Sequence, residues 1–333
     1  MSTSKKTVSR VFVGLVLATA LVHPIASAGW TEYAGNPVLT GDSFVDAVAA
    51  PRVLEIDGSY QMWYAGYVGG SGWDIYHATS TNGFDWTPEG SVFSSGGQVY
   101  LGTVRYDGAG TYQMWYSLGG GTGQTGYATS SDGASWTDHG IVLGPSETYD
   151  GYAASRAYVM YDEDASLYKM WYRAGASLSV PRTIAYATST DGLHWDKYGV
   201  VFSGASGSWC ENGVGPAFVE KTSTGYTMWF QGWDDTAGRI GSVSSVDGLN
   251  WPISSMGIEL YPGAPGSWDS ATVSDVWLLT TSEGKRLMYF SGGISLPEGS
   301  DGIGVAVVPV PGALLLGVLG VGISMLIRRT ISG

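Results

Sequence analysis

The chain is nearly without cysteine, poor in histidine and short of positive charge. Cys210 is the only cysteine among 333 residues, so no internal disulfide can form and the fold must be held by packing. There are four histidines. His23 lies in the N-terminal apolar segment, and His77, His139 and His194 are read onto outer strands or turns, a pattern that argues against a histidine metal site. No G-x-S-x-G elbow or phosphate-cradling glycine loop stands out either, so no cofactor and no metal is expected. Lys and Arg number 16 against 29 Asp and Glu, a net charge of −13. Such a surface repels phosphate backbones and sulfated or phosphorylated polymers, which excludes nucleic acid as a partner and leaves neutral sugars acceptable. Between the two ends no segment sustains a helical period.

What the sequence does have begins with two apolar ends. Lys5, Lys6 and Arg10 precede the apolar run 11–25, and Ala26-Ser27-Ala28 forms a small-x-small cleavage site. Residues 1–28 therefore read as a secretory signal peptide. At the other end, Pro309-Val310-Pro311-Gly312 leads into the uncharged stretch 313–327 and then Arg328-Arg329. This order resembles the PEP-CTERM type of bacterial sorting signal, with Val310 where such signals carry Glu. The resemblance implies a processing protease of the envelope as a partner, and a membrane contact through residues 309–333. A plain C-terminal anchor is the alternative. Both readings put the protein outside the cytoplasm, in the envelope or released after processing. Removing both ends takes away five bases and no acids, which moves the net charge to −18.

The 14 Trp and 21 Tyr are distributed by repetition. "YQMWY" occurs at 60–64 and 112–116, and returns as "YKMWY" at 168–172, "YTMWF" at 226–230 and "RLMYF" at 286–290. The first four copies are each followed by a second element: "HATSTNGFDW" from His77, "YATSSDGASW" from Tyr127, "YATSTDGLHW" from Tyr186 and "SVSSVDGLNW" from Ser242. Each pentapeptide has the period-two alternation of a strand packed on both faces. Each Asn-Gly or Asp-Gly is a tight turn, and another strand precedes each pentapeptide. Four strands per unit and five units predict an all-β, five-bladed β-propeller over residues 29–308, with four antiparallel strands per blade. The fifth unit lacks its outer strand and turn, so an N-terminal strand near Tyr33–Leu39 is expected to complete it. The pentapeptide aromatics are read as packing between sheets.

Asn36-Pro37-Val38-Leu39, "Y-x-M-W-Y-x-G" and "A-T-S-x-D-G-x-x-W" resemble the propellers of the arabinanase, invertase and levansucrase superfamily (glycoside hydrolase families 32, 43, 62, 68 and 130). Sialidase Asp-boxes place a residue between Asp and Gly, whereas here the two are adjacent. The resemblance spans residues 30–308 and implies a glycan-directed activity.

The chemistry of such an activity needs a protonated acid and an ionised carboxylate on either side of a glycosidic bond. Aligning the units on their first strands puts Asp46, Gln98, Asp150, Glu211 and Asp269 at one position, five residues before Pro51, Thr103, Ser155, Pro216 and Ser274. Asp46, Asp150, Glu211 and Asp269 are then the catalytic candidates, expected to converge on the propeller axis. Glu211 would be the acid and Asp46 the base or nucleophile. The alternative for each is a loop cap that accepts backbone N–H bonds. Arg52 and Arg156 are candidate holders of sugar hydroxyls, and Trp209 and Trp268 candidate stacking platforms. The aspartate that precedes the first-blade proline in many catalytic relatives is replaced by Ala50 before Pro51, and the blade-four counterpart is Gly215 before Pro216. Two functions follow: hydrolysis of a neutral oligo- or polysaccharide by carboxylate acid/base catalysis, or a non-catalytic surface propeller that binds glycan or protein. A funnel plugged by Arg–Asp pairs would count against catalysis.

Overall fold

The computed structural model describes residues 29–119, 123–295 and 300–308. The signal-peptide and sorting-tail readings lie outside the described residues. Within them the chain is all-β, its single helical piece being a 3-10 turn at Ile253–Ser255. No helix among them is long and apolar enough to cross a membrane.

A short strand β1 (Thr31–Glu32) comes first, and four-stranded units follow. The first is β2 (Ala47–Ile56), β3 (Ser59–Val68), β4 (Gly72–Ser80) and β5 (Thr87–Phe93). The second is β6 (Gln98–Tyr106), β7 (Tyr112–Gly119), β8 (Gln124–Ser130) and β9 (Thr137–Leu143). The third is β10 (Ala153–Asp162), β11 (Leu167–Gly175), β12 (Thr183–Ser189) and β13 (Asp196–Ser203). The fourth is β14 (Gly213–Thr222), β15 (Gly225–Trp233), β16 (Gly238–Ser245) and β17 (Gly257–Leu260). The last comprises β18 (Thr272–Thr280), β19 (Arg286–Gly293) and β20 (Gly302–Val307), with β1 paired to β20 through Thr31–Val307 and Glu32–Ala306. Each unit is an antiparallel meander, and the last two are linked by one parallel pair, Gly238 with Thr272. First strands pack on first strands: β2 on β6, β6 on β10, β10 on β14, β14 on β18, and β18 on β2. The arrangement is consistent with a β-propeller.

The repeated pentapeptide has a specific structural task. Met62, Met114, Met170, Met228 and Met288 are fully buried between sheets. The Trp beside each of the first three reaches into the next unit. Trp63 donates its indole N–H to the Gly133 carbonyl (2.7 Å), Trp115 to Gly192 (3.0 Å) and Trp171 to Gly248 (3.0 Å). Those glycines are the turn residues of the second repeated element. In β19 the Trp is replaced by Tyr289, whose hydroxyl donates to the Gly83 carbonyl of the first unit at 3.0 Å. The turns themselves are prepared by local bonds. Asp132 Oδ1 accepts the amides of Ala134 and Ser135, and Asp191 and Asp247 do the same in their own turns. Gly133 has φ +77°, and a Cβ there would sit 2.8 Å from Trp63, so the turn needs glycine twice over.

Candidate functional site

The first strands break their ladders in the middle, and these breaks set what faces the centre. The ladder partner of the repeated Trp or Tyr is Arg52 in β2, Thr103 in β6, Tyr158 in β10, Phe218 in β14 (opposite Trp229) and Trp277 in β18. This register corrects the alignment made from sequence. Pro51, Thr103, Ser155, Pro216 and Ser274 do not occupy one position, and Arg52 corresponds to Tyr158, not to Arg156. Two residues before these partners lie Ala50, Arg156 and Asp275, all with φ between +51° and +54°; the equivalent positions in β6 and β14 are Leu101 and Pro216. Only one of the five is a carboxylate, and it is neutralised. Asp275 Oδ1 accepts from Arg156 Nη1 at 2.9 Å, with both side chains almost wholly buried.

Below this pair aromatic rings close the centre, and beyond them an open cavity of about 490 Å³ is lined by residues of all five first strands. Tyr158, Phe218 and Trp277 pack with ring centroids 4.9–6.0 Å apart, and the Arg52 guanidinium lies 5.2 Å from the Trp277 ring. Arg52 is only 2 % exposed and donates to the carbonyls of Pro51, Leu101, Gly102 and Asp275. Burial pulls its pKa down to about 10, with Asp275 opposing and Arg156 reinforcing the shift. It remains a cation at neutral pH. Its donors are spent on the backbone, which corrects its expected role as a holder of sugar hydroxyls.

Each of the four candidate acids has its own set of partners, and no hydrogen bond or ion pair joins any two of them. Asp46 is exposed, and its Oδ2 accepts the Gly69 amide at 2.7 Å. Glu211 is also exposed, and its Oε2 accepts the Gly207 amide at 2.8 Å. Asp150 is fully buried; it accepts the Ser146 and Glu147 amides and the Tyr172 hydroxyl, and is ion-paired to Lys197 of β13 at 2.5 Å. Burial alone would raise its pKa, but Lys197 and the two amides outweigh burial and hold it below the usual carboxylate value. Asp269 is 1 % exposed; Oδ1 accepts from Ser267 at 2.7 Å, while Oδ2 is buried without a partner. Its charge and the burial of Glu32 together push the Glu32 pKa up, burial being the larger cause.

Trp209 and Trp268 are also corrected. Trp209 stacks on Phe230 (5.4 Å, 19°) and lies against Gly232 and Gly241. Trp268 stacks on Phe290 (5.7 Å, 26°) against Gly292 and Gly302. The missing side chains of these glycines make room for indoles folded down onto the sheet, so the ring faces are used for packing.

An open cleft of about 530 Å³ lies elsewhere on the same end of the molecule, beside the starts of β12 and β14. It is walled by Trp233, Asn212, Asp235, Arg173 and Arg182. Asn212 Nδ2 donates to Asp235 Oδ1 at 2.6 Å, and Gly213 lies under the Trp233 ring, where a Cβ would come within 2.5 Å. A smaller cavity of about 210 Å³ adjoins it, sharing Arg173 and Arg182 and reaching Arg156 and Ser155. The sequence reading missed this group. Its signal lay just past the repeats: the residue after the pentapeptide is Ala65, Ser117, Arg173, Gln231 or Ser291, so Arg173 breaks a run of small or neutral residues.

No family model matches the chain. It is 32% identical over 163 residues to two uncharacterized proteins of Mycobacterium tuberculosis, MT1551 and Rv1502; the match covers 46% of this chain. The chain spans about half the length (51%) of these curated relatives. Among solved structures it is similar to BT0996 in its RGII complex (TM-score 0.68, 18% identity, 85% of this chain and 93% of that one). It is also similar to a putative glycosidase from Bacteroides thetaiotaomicron (TM-score 0.66, 16% identity, 85% and 97%). A third is a structure described for GH130 mannoside phosphorylases and glycoside hydrolases that target β-1,2 mannosidic linkages in Candida mannan (TM-score 0.65, 16% identity, 86% and 95%). The chain shares its fold with these glycoside hydrolase-type proteins.

Proposed function

We propose that the protein is an exported five-bladed propeller that binds carbohydrate at the Trp233 cleft without cleaving it. Its last blade is completed by the N-terminal strand, and residues 309–333 act as a membrane or sorting segment. Export and sorting rest on the two terminal sequences. Sequencing the ends of the protein recovered from cell fractions tests them, with a start at residue 29 and removal of the tail expected. Closure of the wheel is supported by the β18–β2 packing and the Tyr289–Gly83 bond.

The cleft itself is the observation that carries the binding reading. An indole wall beside amide, carboxylate and guanidinium groups suits a sugar, whose apolar ring face and hydroxyl rim need both kinds of surface. Glycan titrations followed by tryptophan fluorescence test it. Trp233→Ala is expected to weaken binding by about 10–100-fold, the loss typical of a central aromatic contact. Unchanged affinity in that variant sinks the assignment of the cleft.

Hydrolysis is the second reading, favoured by the glycoside hydrolase-type fold and by Glu211, exposed next to Asn212 of the cleft. It requires a second carboxyl across the sugar. Asp235 lines the same cleft and accepts from Asn212, whereas Asp275 is tied to Arg156 and Asp150 to Lys197. A Glu211→Gln variant that loses glycan cleavage would favour this reading; activity unaltered by that substitution removes Glu211 as the acid.

A further inference from the structure

Arg182 stands where the cleft joins the smaller cavity and lines both. Its Nη1 donates to the carbonyls of Ser177 and Val180, and its guanidinium lies 5.3 Å from the Tyr152 ring. Lys169, Lys197, Lys221, Arg239 and Arg286 are each ion-paired to a carboxylate; Arg182 has no such partner among the described residues. The carbonyls and the tyrosine hold it in place while Nε and Nη2 keep their donor capacity. The same small cavity contains the Ser155 hydroxyl, 2 % exposed and without a hydrogen-bond partner. A buried hydroxyl in that state costs free energy unless something enters to bond it. Gly123 keeps the approach open, since a Cβ there would sit 3.1 Å from Ser155 Oγ.

We propose that this corner receives the carboxylate of an acidic sugar, a uronic-acid unit of the oligosaccharide bound along the Trp233 cleft. The inference rests on the carbohydrate-binding reading. A guanidinium presents parallel N–H donors that match the two oxygens of a carboxylate, and the Ser155 hydroxyl lines the same cavity as a further donor. Arg173 lines the same cavity, as does Arg156, whose charge is balanced by Asp275. The net charge of the chain points the other way, toward a neutral ligand, but it averages over the whole surface. A site this enclosed is governed by the charges that line it.

The test uses the full-length protein and tetrasaccharides of galacturonate, glucuronate, mannuronate and guluronate, each beside its carboxyl-reduced neutral counterpart, with inorganic phosphate as a further arm. At least one acidic sugar is expected to bind about tenfold or more tightly than its neutral counterpart, the gain of a charge-assisted hydrogen bond. That preference should shrink with added salt. Arg182→Gln should erase the preference, weakening the acidic sugar at least tenfold more than its neutral counterpart, and Ser155→Ala should reduce it. Ser155→Ala also serves where Arg182→Gln fails to fold. Equal affinities for acidic and neutral sugars overturn the inference and leave the carbohydrate reading standing. Absence of binding to either overturns both. Saturable phosphate binding without any preference among the sugars assigns the corner to a free anion and also overturns the inference.

Discussion

At the residue scale, carboxylates in this chain divide by what faces them. Asp150 and Asp269 both precede a first strand and both are buried, yet only Asp150 has a cation, Lys197, against it. Removing that cation by Lys197→Met leaves a buried charge with hydroxyl and amide donors alone, at a cost of about 3–5 kcal/mol. Because the Asp150 pKa is lowered on folding, its contribution is present above the ordinary carboxylate pKa and is lost as pH falls through the folded value. Urea unfolding at pH 7 and pH 3.5 should therefore show a large deficit for the variant at the first pH and a smaller one at the second. Glu32 has the opposite sign. Its raised pKa means that the folded state favours the protonated form, so its stabilising effect is full below the ordinary pKa and lost as pH rises through the folded value. Glu32→Gln is expected to raise the melting temperature at pH 7 and to leave it nearly unchanged near pH 4; a drop at pH 7 contradicts the account. None of this was legible from sequence. Asp46, Asp150 and Asp269 are the same letter, and Lys197 lies 47 residues beyond Asp150.

At the element scale, the repeat was readable because strand periodicity and turn chemistry are local. The four-stranded units, the Asn-Gly and Asp-Gly turns and the packing role of the pentapeptide all follow from residues a few positions apart. What escaped was the interruption inside each first strand. A ladder break shifts register without leaving a mark in composition, so counting back from an assumed strand start carried the alignment off by up to three residues between units. Arg156 and Asp275 thereby went unrecognised as equivalent positions. The contact between a pentapeptide Trp and the next turn was hidden for the same reason: it joins residues 70–77 apart. That contact is testable. Trp115→Phe removes one buried hydrogen bond to Gly192 and part of the ring, an expected loss of about 1–2 kcal/mol. Gly192→Ala forces φ +76° on a residue with a Cβ, placed 3.1 Å from Trp115, and should cost at least as much. Because both changes act on one contact, the double variant should lose less than the sum of the singles, measured as a double-mutant cycle. Strict additivity contradicts the proposed lock.

At the scale of the whole molecule, a propeller gathers the ends of its first strands at one mouth, and function depends on what stands there. In this protein the central positions hold Ala50, Arg156 and Asp275 over a plug of Tyr158, Phe218, Trp277 and Arg52, while the open polar surface lies to one side at Trp233 and Arg182. The sequence could forecast the four-stranded antiparallel units, because those depend on repetition. It could not forecast the off-centre cleft, because that depends on where the repeats differ. The most direct measurement incubates the purified protein with an oligosaccharide it binds and follows the sugar by mass spectrometry over many hours. The account predicts that the sugar is recovered intact, with binding lost in Trp233→Ala. Steady release of shorter products, abolished by Glu211→Gln or Asp275→Asn, would contradict it.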